Sequence, residues 1–190
     1  HYVHNRGNDR RIDPSKSNII DIYVLTTGYD NSIRSWLSGN IPAEPLPPTS
    51  YSLEQNYSAS LEPIKAISDE IIFHSVKYKV LFGSNADTSL QAKFKAVRNS
   101  NKPTTDNDLK TRILTAINEF FALENWDFGQ SFYFSELSTY VMNQLTPDIT
   151  NFVVTPKSVG SFGSLYEVAC QSNEIFINGA NISDIEIIDA

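Results

Sequence analysis

The chain has 190 residues, 41% of them hydrophobic and 19% charged, with a formal net charge of −7. A chain of this length buries roughly 70% of its unfolded surface and needs neither disulfides nor a metal to fold. An acidic domain repels a phosphate backbone unless its cations cluster; the longest basic cluster, Arg6 to Arg11, is interrupted by Asp9, so nucleic acid is not an expected partner.

No apolar run approaches the ~20 residues that span a bilayer, so no membrane partner is expected either. The single cysteine, Cys170, lies in an apolar stretch and reads as a small hydrophobe in a strand. It cannot form an internal disulfide, which fits a reducing compartment. The sequons at Asn56 and Asn181 carry no weight without a secretory context. The chain opens on His1 rather than methionine, as expected of a fragment or processed product.

Residues 1–18 are polar and basic and read as an arm or loop. The next segment, 18–26, is continuously apolar and β-branched, which predicts a buried strand. Residues 27–31 carry turn chemistry, with Asp30 or Asn31 as candidate cap of a short helix bearing Ile33, Trp36 and Leu37. Gly39 ends it. Pro42, Pro45, Pro47 and Pro48 follow within seven residues, each fixing φ and lacking a donor. This is the expected linker or crossing loop.

Residues 51–67 look partly helical, with Leu61, Ile64 and Ile67 spaced by three and Pro63 suited to a first helical turn. From 70 to 82 nothing breaks the chain. Val76, Tyr78 and Val80 alternate with Lys77 and Lys79, the period of a half-buried strand. After a turn at 83–87 the alternation resumes over 90–98. An antiparallel pair is the simplest account, with a helix over 88–98 as the alternative.

Thr105, with Asp108 three residues on, resembles a capping box in front of the stripe Leu109, Ile113, Ala116, Ile117, Phe120 and Phe121. That stripe is a helix. Residues 126–130 break it. Ser135 is the expected cap of a second helix with Leu137, Tyr140, Val141 and Leu145 on one face, ended by Pro147. Residues 149–155, 165–171 and 174–177 read as strands, the last two as a hairpin turned at Ser172 and Asn173. The tail, with Ile182, Ile185 and Ile187, reads as a last short strand.

This order predicts an α+β fold of small, mainly antiparallel sheets with helices packed on one face. The proline stretch divides it into residues 1–48, an N-terminal arm with a β-α segment, and residues 49–190, an α+β module ending in C-terminal strands.

Chemistry needs a constellation of reactive groups, and none is apparent. His1 and His4 sit at the chain end. His74 lies in a strand and reads as a hydrogen-bonded histidine near the sheet. One cysteine and scattered histidines cannot supply a zinc site. Asp184, Glu186 and Asp189 read as a solvated strand face. Gly160 and Gly163 lack the lysine and following helix of a phosphate loop and read as a flexible hairpin loop. No catalytic residue, metal, cofactor or small-molecule ligand is therefore expected. The aromatics Trp126, Phe128, Phe132, Tyr133 and Phe134 fall within nine residues. They read either as a loop folded onto the core or as an aromatic patch at a protein interface.

A helix over 109–123, a Gly129-Gln130 turn, a second helix from Ser135 and a strand over 149–154 together resemble the C-terminal part of the baseplate J-like family. The upstream segment 61–80 looks like the helix and strand that open that module. The start, 10–26, looks like the segment before it in wedge subunits of T4-type phage baseplates. The resemblance covers about 10–154. It implies a structural subunit of a contractile tail baseplate in the virion, assembled in the host bacterial cytoplasm. Such a subunit self-associates as a dimer within an inner ring, touches other wedge proteins, and helps couple baseplate change to sheath contraction. The family offers no catalytic residues to carry over. The rival readings are a non-catalytic ligand- or peptide-binding module, using the aromatics and the Gly160–Gly163 loop, and an enzyme using Asp184, Glu186 or His74.

Overall fold

A computed structural model describes residues 19–61, 70–158, 162 and 166–189. The expected arm at 1–18, the helical turn around Pro63 with Ile64 and Ile67, and Gly160 and Gly163 of the expected loop lie outside these residues. The fold is α+β. Contacts divide the chain into two compact units, His1–Lys77 and Tyr78–Ala190. The proline stretch lies within the first.

In the first unit, strand β1 (Ile19–Val24) pairs in parallel with β2 (Glu70–Ser75), in the register Ile22 to Phe73 and Tyr23 to His74. Parallel neighbours need a long crossover. Here it contains helix α1 (Thr27–Leu37) and helix α2 (Ser50–Tyr57). Thr26 caps α1, its side chain accepting from the Tyr29 N–H, and Asp30 sits in the first turn. The helix thus begins earlier than a cap at Asp30 or Asn31 would give. The threonine satisfies a first-turn N–H, and Asp30 instead accepts from Arg34 Nε at 2.9 Å one turn on.

At the other end Gly39, at φ +76, donates to the Trp36 carbonyl while Asn40 donates to the Ser35 carbonyl. This paired closure needs a left-handed residue, and glycine adopts it without a Cβ clash. Thr49 caps α2 in the same manner as Thr26 caps α1. Tyr29, Ile33, Leu53, Phe73 and Val76 are buried.

The second unit holds β3 (Lys77–Leu81) from Tyr78 onward, β4 (Ala92–Arg98), helix α3 (Asp106–Phe120), β5 (Ser131–Tyr133), helix α4 (Phe134–Leu145), β6 (Ile149–Pro156), β7 (Glu167–Ala169), β8 (Glu174–Asn178) and β9 (Ile185–Asp189). The main sheet runs β6-β4-β9, with β4 antiparallel to β6 and parallel to β9. Ala92, Phe94 and Ala96 point into the core from β4, as period-2 alternation requires. Leu109, Ile113, Ala116 and Ile117 of α3 and Leu137, Val141 and Leu145 of α4 belong to the same core cluster. Thr105 caps α3 as its sequence predicts, accepting from the Asp108 N–H at 3.3 Å.

The run 70–82 is two strands, β2 and β3, interrupted at Val76. Strand pairing also differs from the local hairpins that the turns predict. β3 pairs with β8, and β5 pairs antiparallel with β7. Neither β3–β4 nor β7–β8 forms a hairpin.

The cause at the first turn is Phe82. It has φ 74 and sits between Leu81 and Gly83, whose N–H donates back to the Leu81 carbonyl at 3.0 Å. Such a γ-turn at positive φ is rare and strained. It ends β3 and turns the chain aside, leaving one isolated parallel bridge from Phe82 to Gln91. Phe82 is held there by full burial and by contacts with Phe94, Phe121, Phe132 and Phe134, at ring-centroid distances of 5.1 to 6.3 Å. The sheets are mixed in orientation rather than mainly antiparallel: β1–β2 and β4–β9 are parallel, β4–β6 and β5–β7 antiparallel.

Ser135 is not the cap of α4. The helix starts at Phe134 with Tyr133 at the N-cap position, and the Tyr133 N–H donates to Glu136 Oε2 at 2.9 Å. The Phe134 N–H goes to the Tyr166 carbonyl at 3.1 Å. A first-turn donor is thereby met by a distant residue, a tertiary contact that no local motif encodes.

Candidate functional site

The aromatic run that the sequence singles out follows α3. The helix ends at Phe120, and Trp126 folds back so that its indole N–H donates to the Phe120 carbonyl at 2.6 Å. That bond satisfies a C-terminal carbonyl of the helix and fixes the ring. Trp126 lies 5.1 Å from Phe176 and 5.9 Å from Phe132, both edge-on, and stacks on Phe121 at 5.8 Å. Edge-to-face and stacked geometries of this kind add to the apolar burial.

Phe132, on β5, is fully buried, and Phe134 is buried beside it. Phe128 and Tyr133 are exposed. Of the five candidate interface residues, Phe132 and Phe134 therefore belong to the core, Trp126 packs against it half-buried, and Phe128 with Tyr133 faces solvent. Alternation along the three-residue strand sets this: Phe132 points in and Tyr133 out. Gly129, at φ +77, makes the turn between the two groups, and its N–H donates to the Glu174 carbonyl.

The ionisable candidates are each committed elsewhere. His74 Nε2 lies 2.7 Å from Asp21 Oδ1 on the neighbouring strand, and its ring stacks on Tyr23 at 4.8 Å. Asp184 is buried, 3.2 Å from Lys157 Nζ, and accepts from the Asn181 N–H at 3.1 Å. Glu186 lies 3.4 Å from Lys95 across the β4–β9 ladder. Asp189 pairs with Arg98, which also holds Asp106 at 2.8 Å; the Asp189 carboxylate is the main reason the Arg98 guanidinium is held above its ordinary value.

Burial pushes the Cys170 thiol up to about 12, and Glu174 pushes the same way while Lys79 opposes both. A thiol so raised is not a nucleophile near neutral pH.

Asp21 was not singled out by the sequence reading, although a signal was there: a carboxylate inside an apolar strand needs a partner. Lys79, which donates to the Ala169 carbonyl at 2.8 Å and approaches Glu174 at 3.5 Å, was missed for want of any local signal.

An open groove of about 210 Å³ runs between α3 and α4, lined by Arg112, Thr115, Glu119 and Gln144 among others. Its cation is already engaged, since Arg112 lies 2.8 Å from Asp148 and 3.7 Å from Asp108. Among the described residues no group of three or more His, Cys, Asp or Glu is placed to hold a metal. Among the same residues no helix is long and apolar enough to cross a membrane.

Compared with models of known families, the chain has no match. No curated protein matches it at a significant level.

Proposed function

We propose that the chain is a non-catalytic assembly module, of the kind found in the wedge of a contractile phage tail baseplate. It would act in the virion by self-association and by contacts with other wedge proteins. The carrying observation is the element order from Asp106 to Pro156. A capped helix, an aromatic loop with a Gly129–Gln130 turn, the short strand β5, a second helix and a strand follow one another, an order that resembles the module read from the sequence. The engagement of His74, Asp184, Glu186 and Cys170 in pairing or burial supports a structural rather than a chemical role. No specific observation favours the ligand-binding reading, because Trp126, Phe132 and Phe134 pack on other rings.

Cross-linking of a mixture of light- and heavy-isotope copies tests the reading. Lysine cross-links joining a light to a heavy peptide are expected. Links confined to single copies, at concentrations where the chain is abundant, would count against self-association.

A further inference from the structure

In the main sheet β6 is an outer strand, paired with β4 and with no other strand among the described residues. It is the longest described strand, and Ile149 to Pro156 include no charged residue. Every other described strand longer than three residues has at least one. Edge strands are commonly guarded by charge, proline, a bulge or shortness. The opposite edge, β9, carries Glu186 and Asp189. In β6 the guards sit only at the ends. Val97 pairs with Asn151 and Arg98 with Ile149, which leaves Thr150 bulged, and Pro156 closes the strand. Asn151 to Thr155 run regular and uncharged between them.

The Lys157 N–H donates to the Gln91 carbonyl at 2.9 Å, in line with the pairing of Thr155 to Lys93 and Val153 to Lys95. Hydrogen-bonded positions alternate along an antiparallel ladder. Asn151, Val153 and Thr155 therefore bond to β4, and the backbone N–H and C=O of Phe152 and Val154 point away from it. The side chains of Phe152 and Val154 belong to the core, whereas Val153, on the opposite face, is 48% exposed.

We infer that β6 is the self-association surface, pairing antiparallel with β6 of a second copy about a two-fold axis at Val153. This rests on the assembly reading and names its surface. The register follows from the edge itself. Setting Phe152 opposite Val154 of the second copy, and Val154 opposite its Phe152, gives every outward N–H and C=O of these residues a partner. Centring the axis on Phe152 instead brings in the bulged Thr150, and centring it on Val154 brings in Pro156, which has no N–H. Val153 then faces its own copy as a non-hydrogen-bonded pair, with Cα atoms about 4.5 Å apart. Chains of net charge −7 repel one another, and an uncharged edge is where two copies approach at least cost.

Substitutions in the full chain test the pairing, with sedimentation equilibrium of the parent as reference. V153K sets like charges opposite one another and should weaken the dimer about tenfold or more. F128K, on the exposed part of the aromatic run, should leave it unchanged. With Cys170 replaced by alanine, V153C should form an interchain disulfide on mild oxidation with copper-phenanthroline. T155C should not, because in this register its two copies lie about 14 Å apart, beyond the ~7 Å that a disulfide bridges. Val153 is on the solvent side, so both of its variants should keep the parent's thermal midpoint, and V153C reads the contact without adding charge. A parent dimer that V153K leaves intact, no cross-link by V153C, or equal cross-linking by T155C would overturn the β6 pairing while leaving self-association in place. A parent chain that stays a monomer at every concentration would overturn both.

Discussion

Replacing Gly83 by alanine should be among the most damaging single-methyl changes in the second unit. A Cβ built there falls 1.6 Å from the Gly179 carbonyl oxygen, 2.3 Å from its carbon and 2.9 Å from the Ala180 nitrogen. All three are backbone atoms, so no side chain can swing aside. The Gly179 N–H donates to the Leu81 carbonyl at 2.9 Å, and the Ala180 N–H donates to Asn178 Oδ1 at 3.0 Å. Relieving the clash displaces both bonds and strains the β3–β8 pairing beside the γ-turn at Phe82. Overpacking typically costs about 1–3 kcal/mol, and each disturbed hydrogen bond adds about 1 kcal/mol. The expected loss is therefore ~3–5 kcal/mol.

Urea unfolding followed by the fluorescence of Trp126, in a background where Trp36 is phenylalanine, reports on that unit. Gly28, which has nothing within 4 Å of a built Cβ and lies in α1 of the first unit, is the control, followed by circular dichroism. Alanine there should be neutral or stabilising by up to about 1 kcal/mol. A G83A midpoint and slope equal to those of the parent would refute the close approach of the two backbones.

Three further outcomes follow from the same structure. F132A should cost ~3–5 kcal/mol by emptying a fully buried ring position, whereas F128A, at an exposed position, should change stability by about 0.5 kcal/mol or less; chemical denaturation compares them directly. T105A should lose ~1 kcal/mol with the N-cap of α3, readable as a lower unfolding midpoint, and T105S should restore most of it. Cys170 should resist iodoacetamide in the folded chain at pH 8 and react fully in denaturant. Its thiol is raised from 9.0 to about 12, so the unfolded state loses this proton first. That contribution to stability is complete below pH 9 and is lost as pH rises from 9 toward 12. Rapid native alkylation at pH 8 would show the thiol to be open.

The sequence made the elements legible wherever a periodic apolar stripe met a local stop. The α3 stripe with its Thr105 cap, the α4 stripe ended before Pro147, and the alternation of β4 all express side-chain periods that a strand or helix must obey. It did not reveal strand partners. Period-2 alternation fixes which face Phe94 takes, but not that β4 lies between β6 and β9. The turn residues at 83–87 and at Ser172–Asn173 suit a hairpin and a crossing connection equally.

The start of α1 was misplaced because Thr26 reads as the end of a strand and Thr27 and Gly28 carry turn chemistry in isolation, whereas Thr26 is the cap and Thr27, Gly28 and the buried Tyr29 are the first turn. The short strand β5 was hidden in an aromatic run, and its register depends on Val168, more than thirty residues on. The same run was the candidate site. Composition could not apportion five aromatics between core and surface, because the deciding factor is which ring the backbone aims inward.

Sedimentation equilibrium of the purified chain, from micromolar to near-millimolar concentration, tests the assembly account most directly. A mass that rises with concentration to a discrete multiple of 21.3 kDa, a dimer or a ring-sized species, is the predicted result. A mass that stays at that of one chain across the whole range would contradict self-association by this part of the protein.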